Sequence, residues 1–234
     1  MSKKKLLTHA CLFGALLMPI SHFISRTSSA KTPQDFDAVL QQIIQRGYKD
    51  VKALRPPNVS EQELLTRFEA LQKEAGLDNV HLLIGISNRA YAGAVGDYVV
   101  LSDAHLGNFS KDRQDASIGH ELYHVLVERA QKKPYEAFSD DEIKQVESDA
   151  DKFAYFLVRK PGVVESNLQQ TDEFNRKVDY ESAPWVLKMI AFNEIRAAID
   201  KAIDSGSSRH PPTAKRIKDL RELEKKMPIN TNGR

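Results

Sequence analysis

The sequence predicts an α+β fold that is mainly helical and contains a small antiparallel sheet. Along most of the chain, apolar side chains recur every three or four residues, which is the period of an amphipathic helix. Residues 80–101 break this pattern, because they hold three short segments of strand character with turn signals between them. An apolar helix that carries two histidines follows this stretch, and the remaining elements are predicted to support that helix.

Two helices are predicted before the sheet. The first begins near Pro33, since proline is favoured in the first turn of a helix, and it ends at Gly47. The second begins with a capping box formed by Ser60 and Glu63 and ends at Gly76. Both helices have one apolar face, which predicts that they pack against the core as scaffold.

Three strands are predicted over residues 80–87, 89–93 and 97–101, with Gly96 in the turn between the second and the third. His105 is predicted to follow in a loop and to have no role in a site. The exposed edge of this sheet suits the capture of an extended peptide by strand addition. A purely structural hairpin would give the same sequence pattern, so both interpretations stay open.

The histidine helix is predicted over residues 112–132 and contains the motif His120-Glu-Leu-Tyr-His124. Residues four apart stack on one face of an α-helix, so both imidazoles can bind one metal ion. Glu121 lies about 100° further round the helix, where it can act as general base for a metal-activated water without ligating the ion. Cys11 is the only cysteine, so no cysteine zinc site can form within the chain.

A second helix with candidate ligands begins with a capping box of Ser139 and Glu142. It carries Glu147 and Asp151, which are four residues apart and can therefore point the same way. Glu147 is the candidate third ligand, and Asp151 can accept a hydrogen bond from the free ring nitrogen of a ligating histidine. In isolation such an acidic run indicates a solvated face, but the histidine motif favours the metal site.

The C-terminal part of the chain predicts scaffold and one further motif. Residues 163–178 are polar and predict no definite element. Residues 184–203 predict a strongly apolar helix that belongs to the core. A last helix begins at His210-Pro-Pro-Thr213 and carries Arg216.

Residues 1–30 have the pattern of a secretory signal peptide, with a basic start, a mostly apolar centre and the small residues Ser28-Ser-Ala30 at the end. Cleavage after Ala30 would leave one domain, residues 31–234, in the periplasm or secreted. The alternative is an uncleaved anchor that attaches this domain to a membrane. The formal net charge of +2 gives no electrostatic case for nucleic-acid binding.

Three blocks carry a family resemblance: His120-Glu-Leu-Tyr-His124, Glu147-Ser-Asp-Ala-Asp151 and His210-Pro-Pro-Thr-Ala-Lys-Arg216. Together they resemble the HtpX-like and CAAX-prenyl-protease-like zinc metallopeptidases, a gluzincin family. The resemblance covers about residues 60 to 225 and implies a zincin-like peptidase domain with one zinc ion per chain. The chain has Arg89-Ala-Tyr-Ala92 where members often show Asn-Ala-Phe-Ala, so no substrate preference is carried over.

The resemblance also implies a role for each residue of the first two blocks. His120 and His124 match the two histidine ligands of the zinc ion, and Glu147 matches the glutamate ligand. Glu121 matches the catalytic base. Asp151 matches the aspartate that supports a ligand histidine, which agrees with the role inferred from its spacing.

The third block implies two further roles. His210 matches a histidine that can approach the metal, where it would stabilise the transition state or occupy the open coordination site. In the second case His210 would be autoinhibitory. Arg216 matches an arginine that braces the same loop. Tyr91 is a further candidate for a hydrogen bond to the developing oxyanion, because it precedes the histidine helix in the predicted sheet.

These features predict a zinc-dependent endopeptidase that hydrolyses exported or membrane-associated proteins, misfolded ones among them. Its partners would be protein and peptide substrates. A metal-activated water would attack the peptide carbonyl, and Glu121 would pass the proton to the leaving amine. The second hypothesis is a zinc-containing chaperone or assembly factor that binds client proteins without cutting them. The sequence contains every expected catalytic residue, which favours the enzyme.

Overall fold

A computed structural model describes residues 34–182 and 211–228 of the chain. These residues form α-helices around one small four-stranded sheet, which confirms the predicted α+β, mainly helical class. Within these ranges, no helix combines the length and the apolar character that a membrane span requires. The predicted signal segment, the predicted helix over residues 184–203 and His210 lie outside the described residues.

The described helices agree with most of the sequence predictions. They are α1 Gln34–Gln45, α2 Gln62–Glu74, α3 Asp103–Asn108, α4 Lys111–Gln131, α5 Asp140–Val158, α6 Val163–Ser182 and α7 Thr213–Lys226, with turns of 3-10 helix at Val59–Glu61 and Tyr135–Ala137. The predicted histidine helix is α4, and the capping box of Ser139 and Glu142 opens α5 as predicted. The helix α6 occupies the polar stretch for which the sequence predicted no element.

The capping box predicted at Ser60 and Glu63 is wrong. Asn58 and Glu61 form the box instead: the Asn58 side chain accepts from the Ser60 N–H, and the Glu61 carboxylate accepts from the Asn58 N–H at 2.8 Å. The chain enters α2 through a turn of 3-10 helix, so the cap lies two residues before the predicted position. The sequence pattern fits both pairs, and the extra turn decides between them.

The strands are β1 Ala53–Arg55, β2 His81–Ile86, β3 Ala92–Val95 and β4 Tyr98–Ser102, in the spatial order β1-β2-β4-β3. The predicted hairpin around Gly96 is confirmed as β3 and β4, with Gly96 at a φ of +55° that favours glycine. The first strand of this hairpin begins at Ala92 and not at Arg89. The short edge strand β1 was not predicted.

The sheet is mixed and not purely antiparallel as predicted. The strands β2 and β4 run parallel, whereas β1–β2 and β3–β4 are antiparallel. After β2 the chain crosses to the far edge, turns back as β3 and returns as β4 between β3 and β2. All five residues of β4 are buried, as expected for a central strand covered on both faces.

Helices cover both faces of the sheet. On one face, α2, α4 and α5 pack on β2 and β4 through buried apolar residues that include Leu64, Phe68, Leu82, Ile84, Val99, Leu101, Ile118, Leu122 and Leu157. On the other face, α1 packs through residues that include Val39, Ile43, Leu83, Tyr91, Val95 and Val100. The helix α4 therefore lies between the sheet and α5, and its two sides face different partners.

Gly119 allows α4 and α5 to approach closely. A Cβ atom at this position would lie 3.2 Å from the Ala154 Cα atom and 3.4 Å from the Leu157 side chain. Because Ala154 Cα belongs to the backbone of α5, a larger side chain at Gly119 can be accommodated only if the helices separate. This close approach brings Glu147 and Asp151 of α5 towards the histidines of α4.

We expect Gly119→Val to lower the free energy of unfolding by about 1–3 kcal/mol, because the added methyl groups overpack the contact between α4 and α5. Denaturant unfolding followed by circular dichroism measures this change. Gly107→Val is the matched control, since a Cβ at Gly107 in the exposed end of α3 meets no atom within 4 Å. Equal stability of the Gly119→Val and Gly107→Val proteins would contradict the close contact.

Candidate metal centre

The side chains of His120, His124 and Glu147 converge at one point between α4 and α5. The two Nε2 atoms of the histidines are 3.0 Å apart. The Glu147 carboxylate places one oxygen 3.4 Å from His120 Nε2 and the other 3.4 Å from His124 Nε2. Glu147 and His124 are buried, and His120 is partly buried.

This arrangement could hold a metal ion. An ion with tetrahedral angles and metal–ligand bonds of about 2.1 Å spaces its ligand atoms about 3.4 Å apart. Each histidine Nε2 lies at this distance from one Glu147 oxygen, and the two Nε2 atoms are closer together, at 3.0 Å. Two imidazole nitrogens and one carboxylate leave a coordination position for a further ligand. The predicted convergence of the two histidines from one helix with a carboxylate from a later helix is therefore what the structure shows.

Asp151 fixes the orientation of the His120 ring. His120 Nδ1 donates to Asp151 Oδ1 at 3.0 Å, which turns Nε2 towards Glu147 and His124. Arg216 of α7 holds the same carboxylate with two hydrogen bonds, from Nη2 at 2.6 Å and from Nε at 2.7 Å. Burial alone would raise the pKa of Asp151, but the bonds from Arg216 and His120 outweigh it and lower the pKa below its usual value.

The metal-free protein keeps a proton on His120. Burial lowers the pKa of this imidazole, but the hydrogen bonds and charges of Asp151 and Glu147 outweigh burial and raise it to about 10. A positive charge is therefore favoured between these two carboxylates. A bound cation would replace that proton, because a histidine must be neutral at its ligating nitrogen.

Tyr135 positions the Glu147 carboxylate from the other side. Its hydroxyl donates to Glu147 Oε1 at 2.7 Å, and its ring packs edge-on against the His124 ring with centroids 5.2 Å apart. The Tyr135 N–H donates to the Glu128 carboxylate of α4 at 3.0 Å, and the Arg46 guanidinium lies over the Tyr135 ring at 5.5 Å. The sequence did not indicate Tyr135, because no spacing rule relates the 3-10 turn that contains it to a ligand on α5.

The metal centre opens into a cleft of about 660 Å³. Glu121, which is 7% exposed, lines this cleft beside the two histidines. The edge strand β3 lines the cleft through residues 92–94, and α6 lines it through residues that include Asn167, Thr171 and Asn175. Glu121 thus lies where it can meet a molecule that enters from the sheet edge, as its predicted role requires.

The interpretation of Tyr91 as an oxyanion donor is wrong. Tyr91 belongs to the core cluster on the face of the sheet opposite α4, and its hydroxyl takes the space that a Cβ at Gly85 would fill. Tyr48, whose ring stacks on Tyr91 at 4.8 Å, lines the cleft of the metal centre. Burial and then the charges of Glu121 and Glu147 raise the pKa of Tyr48, so its hydroxyl stays protonated at neutral pH.

His105 differs most from its sequence prediction. It lies in α3 and not in a loop, it is 1% exposed, and it lines the cleft. Its ring stacks on Phe109 at 4.5 Å, and its Nε2 lies 3.1 Å from the Ser117 hydroxyl oxygen. Burial lowers the pKa of this imidazole to about 4, so His105 is neutral at physiological pH.

No protein-family model matches the chain, and no curated protein matches it. The functional argument therefore rests on the side chains themselves. The structure brings five of the predicted site residues into one connected group: His120, His124, Glu147, Asp151 and Arg216. Glu121 lines the same cleft, and His210 is outside the described residues.

We expect Tyr135→Phe to weaken metal binding about tenfold, because the Glu147 carboxylate loses the hydroxyl that orients it. Titration of the metal-free protein with Zn²⁺ in the presence of a chromophoric chelator measures this affinity. Tyr123→Phe is the matched control, since Tyr123 lies on α4 and its ring packs against Phe153. If the two variants bind Zn²⁺ equally well, Tyr135 does not orient the ligand.

We expect His105→Gln to reduce the loss of stability on acidification. An unfolded imidazole takes up a proton near pH 6.5, whereas the folded one stays neutral down to about pH 4, so wild-type stability falls as the pH decreases through this window. The contribution of His105 is at most about 3 kcal/mol. Urea unfolding of both chelator-treated proteins across this pH range measures the difference. Parallel stability curves would show that His105 is not buried as described.

Proposed function

We propose that the protein is a zinc-dependent endopeptidase. The observation that carries this proposal is the convergence of His120, His124 and Glu147 next to Glu121, in a cleft that reaches the edge of the sheet. A metal site with an open position, a carboxylate that does not ligate the ion and a wall able to hold an extended chain are the parts that peptide hydrolysis needs.

The donor set and its surroundings favour zinc. Two imidazoles and one carboxylate with an open position occur in catalytic zinc sites, and iron(II) shares this donor set. Glu121 distinguishes the two cases, because a carboxylate directly beside the ion suits proton transfer to and from a water. The Asp151–His120 hydrogen bond supports the ligand in the way that zinc-binding histidines are commonly supported.

The residues of this chain have separate tasks in the proposed reaction. When bound, zinc supplies an acidified water and polarises the substrate carbonyl. Glu121 accepts the proton of the attacking water and returns it to the nitrogen of the leaving amine. Asp151 and Tyr135 keep His120 and Glu147 oriented throughout. Tyr48, still protonated, is in the right part of the cleft to donate to the developing oxyanion.

The edge strand β3 supports the binding of an extended peptide. The Ser102 N–H at the end of β4 donates to the Tyr91 carbonyl oxygen at 3.0 Å. Because hydrogen-bonded pairs alternate along an antiparallel ladder, the backbone groups of Ala92 and Ala94 point away from β4. Arg46 already binds the Ala94 carbonyl oxygen, which limits strand addition to the part of β3 around Ala92. A short stretch of substrate chain would therefore pair with this edge and cross the metal centre.

The proposed setting follows from the N-terminal sequence pattern and the family resemblance. The signal-like residues 1–30 support export to the periplasm or secretion, with retention on a membrane if that segment is not cleaved. The resemblance to HtpX-like and CAAX-prenyl-protease-like metallopeptidases supports proteolysis of exported or membrane-associated proteins. The geometry of Asp151 and Arg216 fits this resemblance, because both residues come from its motif blocks and Arg216 binds the carboxylate of Asp151 that supports His120.

We expect Glu121→Gln to keep metal binding and to lower kcat/KM for an unfolded protein substrate by about 10²–10⁴-fold, because the amide cannot accept the proton. Metal content by atomic emission and cleavage of a fluorescent casein substrate measure the two properties. Glu69→Gln on the exposed surface of α2 is the matched control. Undiminished cleavage by Glu121→Gln would remove the assigned base, and tight client binding without cleavage by the wild type would favour a chaperone.

A further inference from the structure

A second polar group lies in the same cleft, one helical turn from the proposed base. It consists of His105 on α3, Ser117 on α4 and Asn167 on α6, and is called the polar pocket below. Ser117 precedes Glu121 by four residues, so the two side chains share one face of α4. A substrate chain that reaches Glu121 from the sheet edge would therefore have a neighbouring side chain close to the polar pocket.

The polar pocket is buried and internally connected. His105, Ser117 and Asn167 are 1%, 4% and 9% exposed. The Ser117 hydroxyl accepts a hydrogen bond from Asn167 Nδ2 at 2.9 Å and lies 3.1 Å from His105 Nε2. Ser117 thus forms a hydrogen bond with one polar atom of His105 and one of Asn167, and these bonds fix both side chains.

Two polar atoms of this pocket have no hydrogen-bond partner within the described part of the chain. They are His105 Nδ1 and Asn167 Oδ1, and each exposes less than 1 Å². A buried polar atom without a partner costs free energy, and both residues line the cleft. Atoms of this kind gain most from a ligand that offers them hydrogen bonds.

The charge of the pocket restricts what can bind. His105 is neutral because burial lowers its pKa to about 4, and neither Ser117 nor Asn167 ionises. A charged side chain placed here would lose its hydration without meeting an opposite charge. Asn167 Oδ1 needs a donor, whereas His105 Nδ1 is a donor in one tautomer and an acceptor in the other. A carboxamide carries both kinds of group and matches either tautomer.

We propose that the polar pocket of His105, Ser117 and Asn167 is a specificity subsite that binds an uncharged hydrogen-bonding side chain of the substrate, preferably Asn or Gln. The inference rests on the proposed function, because it assumes that the ligand in the cleft is a polypeptide. The predicted preference applies to one residue of the bound chain, close to the bond that Glu121 would attack.

A binding experiment tests this proposal without requiring cleavage. The probe is a set of fluorescent alanine-based peptides that carry one Asn, moved along the sequence, and a matched set with Leu. The full-length Glu121→Gln protein is loaded with Zn²⁺, and Kd is measured by fluorescence anisotropy. At one position Asn should bind about tenfold more tightly than Leu, as two additional neutral hydrogen bonds allow. Equal affinity at every position would overturn the proposal.

Two variants in the Glu121→Gln background identify the residues responsible. Asn167→Leu and His105→Phe each remove one unpartnered polar atom at similar side-chain volume, and each should reduce the Asn preference to about twofold or less. Gln169→Leu is the matched control, since Gln169 is exposed on the same helix α6. Thermal unfolding verifies that each variant is folded. If both pocket variants keep the full preference, the subsite lies elsewhere.

The outcomes separate this proposal from the proposed function. If wild-type protein does not cleave but the Zn²⁺-loaded chain prefers Asn through Asn167 and His105, the subsite stands and the peptidase assignment fails. If wild-type protein cleaves without any preference for a polar residue, the peptidase assignment stands and the subsite fails. If no peptide of either set binds, the polar pocket is not a peptide subsite.

Discussion

The Asp151 carboxylate is the group on which the arrangement of the site depends. It receives hydrogen bonds from His120 of α4 and Arg216 of α7, and it belongs to α5, so one buried side chain joins three helices. These bonds also balance charge. Arg216 and His120 both bind the Asp151 carboxylate, and Arg216 also lies 3.6 Å from a Glu147 oxygen. A cation bound here would take the place of the proton on His120.

Arg46 connects the sheet edge of the cleft with the residues around the metal centre. Its guanidinium binds the Ala94 carbonyl oxygen at the edge of the sheet, pairs with Glu128 of α4 at 3.0 Å and lies over the Tyr135 ring. Tyr135 in turn holds Glu147. Arg46, which directly follows α1, therefore contacts both the strand of the proposed substrate edge and the turn that carries Tyr135, which fixes the spacing between the two.

What the sequence predicted well is local in the chain. His120 and His124 are one helical turn apart, and the capping box of Ser139 sets the start of α5, so short-range rules place these groups. Tyr135, His105 and the parallel pairing of β2 with β4 could not be predicted in this way. Each depends on which distant element becomes a neighbour, and helix or strand periodicity carries no information about that choice.

The polar pocket departs from the apolar packing that α4 shows on its other side. The side of α4 that faces the sheet buries the apolar residues Ile118, Leu122 and Val125. Ser117, on the side of Glu121, instead draws His105 and Asn167 into a buried cluster with unpartnered atoms. Apolar side chains at all three positions would avoid that cost. Because the departure lies in the cleft and not in the core, ligand binding explains it better than stability does.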